Sequence, residues 1–116
     1  SVRETMGRML ERLGCAVTGA QDGVEAVYLH QSAVEHRRPY DMVILDLTVP
    51  GAMGGREALA RMRKADPTVK AVVTSGYTGD PIMVAPKEHG FCGSVPKPYT
   101  LEELSRVLAE ATECSA

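Results

Sequence analysis

Three short apolar runs in this chain each close on a polar side chain: Met42-Val43-Ile44-Leu45 on Asp46, Val72-Val73-Thr74 on Ser75, and the run through Val95-Pro96 on Lys97. A strand apolar at consecutive positions cannot leave one face in water, so it belongs to a parallel sheet covered by helices on both sides. Parallel neighbours need long crossover connections, usually helical. In such sheets the ligand crevice lies beyond the carboxyl ends of the strands. An acid, a hydroxyl and an amine are therefore directed at one place.

The segments between the runs supply the helices. Val2, Met6, Met9, Leu10 and Leu13 repeat with helical period and stop at Gly14, a residue suited to a helix C-terminus. Asp22 is placed to cap a second helix with apolar residues at Val24, Val27, Leu29 and Val34. Pro50, Gly51, Gly54 and Gly55 make a loop that leads into a helix carrying Ala58, Leu59, Met62 and Ala65, stopped by Asp66-Pro67. Asp80-Pro81 reads as an N-cap followed by proline in the first helical position. Pro86 then removes a backbone donor at a cost of about 3 kcal/mol in a helix interior, so this helix is expected to be short or kinked. Thr100 and Glu103 form a capping box ahead of Leu101, Leu104, Val107 and Leu108.

Strands are expected at Cys15–Ala20, Asp41–Leu47, Val69–Ser75 and Phe91–Pro96. With right-handed crossovers the alternation predicts an α/β, doubly wound parallel sheet flanked by helices on both faces, in a single domain spanning residues 1–116. The pattern is unusual in beginning with a helix.

A net charge of −2 gives no electrostatic basis for nucleic-acid binding by this segment. No apolar stretch of about 20 residues occurs, so no direct membrane contact is expected and the segment is read as cytoplasmic. Cys15, Cys92 and Cys114 lack metal-ligand spacing and are expected to be reduced thiols packed as small apolar groups. His30, His36 and His89 also lack ligand spacing and are expected on helix surfaces or in loops.

Taken together, Ile44-Leu45-Asp46 with Pro50 and Gly55 downstream, Thr74-Ser75-Gly76, and Lys97-Pro98 resemble the receiver domain of two-component response regulators, a flavodoxin-like fold, over essentially the whole chain. The long loop Asp46 to Gly55, with Ser75-Gly76-Tyr77 and Pro96-Lys97-Pro98-Tyr99, is most similar to receivers of hybrid sensor histidine kinases. The resemblance implies that Asp46 is the phosphoacceptor, Ser75 the switch hydroxyl and Lys97 the phosphoryl-binding lysine, with a cis Lys97-Pro98 bond. It further implies a Mg2+ ion held by Asp46 and the backbone carbonyl of Thr48. Gly76, Tyr77, Ser94 and Tyr99 fall on the implied switch and partner surface. The implied partner is a sensor histidine kinase or phosphotransfer domain, and the domain would be a self-phosphorylating switch rather than an independent turnover enzyme.

Two departures from that family follow. Receivers begin with a strand ending in an acidic pair that helps hold Mg2+, and this chain is expected to lack that first strand and to bind Mg2+ weakly. The loss would leave unpaired edges, to be met by strand exchange, a homo-oligomer, a rearranged sheet or an unformed Cys15–Ala20 strand. Ser94 also stands where many receivers carry the aromatic of the switch pair. The alternatives are a pseudo-receiver interaction domain without phosphotransfer, and a haloacid dehalogenase-type phosphatase, which would want an aspartate where Thr48 stands.

Overall fold

Ala71-Val72-Val73-Thr74-Ser75 forms the middle strand of the sheet, and all five residues are buried because helices cover both faces. The computed structural model describes residues 2–47 and 53–114. The elements in chain order are α1 (Val2–Arg12), α2 (Gly23–Glu35), β1 (Val43–Asp46), α3 (Gly55–Ala65), β2 (Ala71–Ser75), α4 (Pro81–Val84), a 3-10 turn (Pro86–His89), β3 (Gly93–Pro96) and α5 (Leu101–Thr112). The sheet is parallel throughout, in the order β1-β2-β3.

Alternation along the strands divides the core in two. Leu45, Ala71 and Val73 pack with Ala58, Leu59 and Met62 of α3 and with Ile82 and Met83 of α4. Val72 and Val95 pack on the other side with Leu104 and Ala111 of α5, joined by Met9 and Leu10 of α1 and by Leu13 just beyond it. This is the doubly covered parallel sheet that the apolar runs require.

Local signals hold where expected. The Asp22 carboxylate accepts the Glu25 N–H at 2.9 Å, and Thr100 and Glu103 make both bonds of the capping box. Asp80 accepts the Ile82 N–H at 2.9 Å to start α4, which lasts four residues before Pro86 restarts the chain as a 3-10 turn. The loop residues Pro50 and Gly51 lie outside the described residues.

Four expectations are corrected. Cys15–Ala20 forms no strand, which is the unformed outcome among those named for a sheet without its first strand, and residues 15–19 are exposed; the three-stranded sheet provides it no partner, and a strand without a neighbour has no ladder to offset its ordering. β1 is consequently an edge strand. On α2 the inward face is not set by Val24, which is 60% exposed, but by Gly23, Ala26, Val27 and His30. The cause is a contact at the helix start: a Cβ on Gly23 would lie 2.4 Å from the Met53 carbonyl oxygen, so only glycine can face α3 there.

That rotation buries His30, which is 2% exposed, with its Nδ1 lacking a hydrogen-bond partner among the described residues. Finally, Cys92 and Cys114 are joined in a disulfide, while Cys15 is free and exposed. Neither pairing nor exposure could be read from their spacing, because the fold alone brings the start of β3 to the end of α5.

Burial lowers the His30 pKa below its ordinary 6.5, an effect that the negative charge of Asp66 partly opposes. The unfolded chain therefore takes up a proton at a higher pH than the folded one, so this contribution to stability is intact above the ordinary value and lost as pH falls through it. Urea midpoints measured from about pH 8 down to about pH 5.5 should fall on acidification, and His30→Gln should flatten that part of the profile.

Candidate functional site at the strand ends

The register of the sheet places the three predicted residues side by side. Asp46 pairs with Thr74, the residue before Ser75, and Ser75 pairs with Pro96, the residue before Lys97. The ladder continues past the strand ends: Leu47 N–H donates to the Thr74 carbonyl and Lys97 N–H to the Ser75 carbonyl, each at 2.9 Å. Backbone hydrogen bonds thus fix the main chain on either side of each functional side chain.

Lys97 Nζ forms an ion pair with Asp46 Oδ2 across the end of β2. The lysine and carboxylate side chains keep 28% and 32% of their accessibility, so the pair is sheltered but open to an incoming group. The Lys97-Pro98 peptide bond is cis. Ser75 is 1% exposed, and its Oγ accepts the Tyr77 N–H at 3.0 Å in the turn that ends β2. That bond uses the oxygen as acceptor and leaves the hydroxyl hydrogen for another acceptor.

The approach to Asp46 depends on glycine at the head of α3. A Cβ at Gly54 would fall 2.8 Å from the Leu47 carbonyl oxygen, and one at Gly55 would fall 2.8 Å from the Asp46 carbonyl oxygen. The helix start can therefore lie against the acceptor strand only because both side chains are absent. Gly76 is different: among the described residues beyond its chain neighbours, no atom stands within 4 Å of where its Cβ would be.

The remaining predicted residues divide into two groups. Tyr99 is half-buried against the α5 side of the core, and its phenol pKa is raised above 10.0 by burial and then by the Asp46 charge, which places it in the electrostatic field of the site. Tyr77 is 67% exposed on the turn after β2. Ser94 is half-buried and donates its hydroxyl to the Met83 carbonyl at 2.8 Å, linking β3 to α4. Thr48 lies outside the described residues.

One residue escaped the sequence reading. Thr74 is 3% exposed, stands opposite Asp46 in register, and its Oγ1 has no hydrogen-bond partner among the described residues. Only the register, which single-sequence patterns do not encode, reveals it. Among the described residues no three His, Cys, Asp or Glu side chains converge as a metal site. No helix there is long and apolar enough to cross a membrane.

The family model for the response regulator receiver domain matches residues 1–109. The chain is 35% identical over 104 residues to response regulator MprA of Mycobacterium sp. (strain KMS), covering 90% of this chain and 43% of that protein. It is 31% identical over 106 residues to sensor kinase CckA of Brucella abortus, covering 91% of this chain and 11% of that protein. The chain thus spans less than half the length of either relative. Among solved structures, it superimposes on the receiver domain of a sensor histidine kinase from Pseudomonas aeruginosa PAO1 with a TM-score of 0.79 at 24% identity, covering 97% of this chain and 90% of that one.

Gly55→Ala should cost about 1–3 kcal/mol in chemical denaturation, the range for forcing atoms into a packed contact. It should also weaken the Lys97–Asp46 pair, seen as a shift of the Asp46 carboxyl resonance. An equivalent Ala at Gly76, where space is open, should leave that resonance unchanged.

Proposed function

The chain belongs to the response regulator receiver domain family, and from that premise we propose that Asp46 accepts a phosphoryl group from a phosphohistidine on a sensor kinase or phosphotransfer domain. The observation that carries this reading is the Lys97–Asp46 ion pair at the shared end of the sheet. An Asp46 carboxylate oxygen attacks phosphorus, the bond from phosphorus to the histidine nitrogen breaks, and an acyl phosphate remains on Asp46. Lys97 already sits against the acceptor as a point charge and meets the added negative charge without rearrangement of the sheet. Ser75 supplies its free hydroxyl hydrogen to a phosphoryl oxygen, which draws the turn through Gly76 and Tyr77 with it. Tyr99 and Ser94 carry the change to the face formed by α4, β3 and α5.

Mg2+ is the expected cation of such a site, and the Pseudomonas receiver is described with a magnesium ion in its active-site cleft. Among the described residues no cluster of three acidic, histidine or cysteine ligands forms, so Asp46 would hold the ion with bound water completing its octahedron. The second reading is an interaction domain that keeps the receiver fold without phosphotransfer. The resemblance to CckA supports attachment to a sensor kinase, whereas that to MprA supports a separate response regulator.

Intact mass after incubation with acetyl phosphate and Mg2+ tests the proposal. One added phosphoryl group is expected on the wild-type chain and none on Asp46→Asn. Lys97→Ala should slow its appearance by about a hundredfold, the scale for removing one preorganised charge. No addition to a folded wild-type chain would overturn the proposal for this chain, and no addition to an N-terminally extended one as well would favour the interaction-domain reading.

A further inference from the structure

We propose that the Cys92–Cys114 bridge is a reversible thiol–disulfide site, which fastens the chain at the C-terminal end of α5 to the sheet when oxidised and releases it when reduced. It uses none of the strand-end residues and does not depend on phosphotransfer by Asp46.

The two cysteines belong to different parts of the fold. Cys92 stands directly before β3, with its N–H donating to the Ala71 carbonyl at 2.7 Å, and Cys114 follows α5, with its N–H donating to the Ala111 carbonyl at 3.1 Å. Their Cα atoms are 5.7 Å apart, inside the span of roughly 4.4–6.8 Å that a disulfide bridges without moving the backbone. The pair is unevenly sheltered: Cys92 is 4% exposed, whereas Cys114 is half-buried. Cys114 is thus the less buried residue of the pair, and the exchange is proposed to begin at its sulfur.

The surroundings determine what cutting the bond would do. The body of α5 is held independently by Leu104 and Ala111, both fully buried. At Gly93 the helix lies so close to β3 that a Cβ would be 3.1 Å from Val107 Cγ1. Beyond Ala111 the described contacts include the bridge, the packing of Cys114 against the core, the hydrogen bond of its N–H to the Ala111 carbonyl and an exposed hydrogen bond from Lys70 Nζ to the Thr112 carbonyl at 2.6 Å; of these the bridge is the covalent tie to the sheet. Reduction thus frees the segment from Thr112 to Cys114 and leaves the sheet in place. That segment follows α5 beside a groove of about 390 Å³, lined by Pro86, Lys87, Cys92, Ser94, Val107 and Glu110.

The chemistry is a two-electron exchange with a low-molecular-weight thiol. Its thiolate attacks Cys114 Sγ, the Sγ–Sγ bond breaks, a mixed disulfide forms at Cys114, and Cys92 leaves as a thiolate that takes a proton. A second thiolate attacks the sulfur that the first contributed, releasing the Cys114 thiolate and the oxidised small-molecule disulfide. The reverse sequence restores the bridge.

The test uses the Cys15→Ser protein, in which only the pair can be alkylated, equilibrated in glutathione buffers from fully oxidised to fully reduced. Intact mass should show no label at the oxidised end, two labels at the reduced end, and full return of the unlabelled species on reoxidation. Hydrogen exchange across residues 112–114 should quicken on the order of tenfold on reduction, while Ala71–Ser75 stays unchanged. Cys114→Ser should exchange at the fast rate in every buffer. A bridge that survives the fully reduced buffer, thiols that label in the fully oxidised one, or exchange at 112–114 that ignores the bond would each overturn the proposal. Reduction that unfolds the whole sheet would do so too, since the bridge would then be a fixed staple.

Discussion

The site exists because β2 is buried on both faces. A strand with no wet side has one way to satisfy its backbone, which is to pair on both edges, and doing so fixes the level of β1 and β3 against it. The depth at which Asp46, Ser75 and Lys97 emerge is therefore a property of the core rather than of the loops that follow. The two ladder bonds beyond the strand ends extend that control by one residue on each side.

Electrostatics plays the smaller part in holding the fold and the larger part in the chemistry. An ion pair as accessible as Lys97–Asp46 contributes on the order of 0–1 kcal/mol to stability, less than one well-buried leucine such as Leu104. Its importance is positional. The lysine is held where charge would develop, and the glycines at the start of α3 let the helix lie against the main chain of Asp46 and Leu47.

What could be read from the chain was what a few neighbouring residues decide. Asp22, Asp80-Pro81 and Thr100–Glu103 announce helix starts because each cap is closed within three residues. Pro86 announces a break for the same reason, and the three strand-end residues were legible because each apolar run ends on them. What could not be read required a partner distant in sequence. Cys15–Ala20 has strand-like composition but no neighbour, and His30 turns inward because Gly23 meets Met53. Thr74 gains its position opposite Asp46 from register alone, and the cysteine pair from two elements that only the fold brings together.

The bond between Ser94 and Met83 sets an energy scale for the face it spans. Where an aromatic ring would be locked by its packed area, a hydroxyl on a carbonyl contributes about 1 kcal/mol net, equivalent to a population ratio of about five. Because α4 is only four residues long, few internal hydrogen bonds resist its shift once that contact opens. The joint between α4 and β3 is thus held chiefly by the burial of Ile82 and Met83, and the Ser94 bond adds direction to that packing rather than most of its strength.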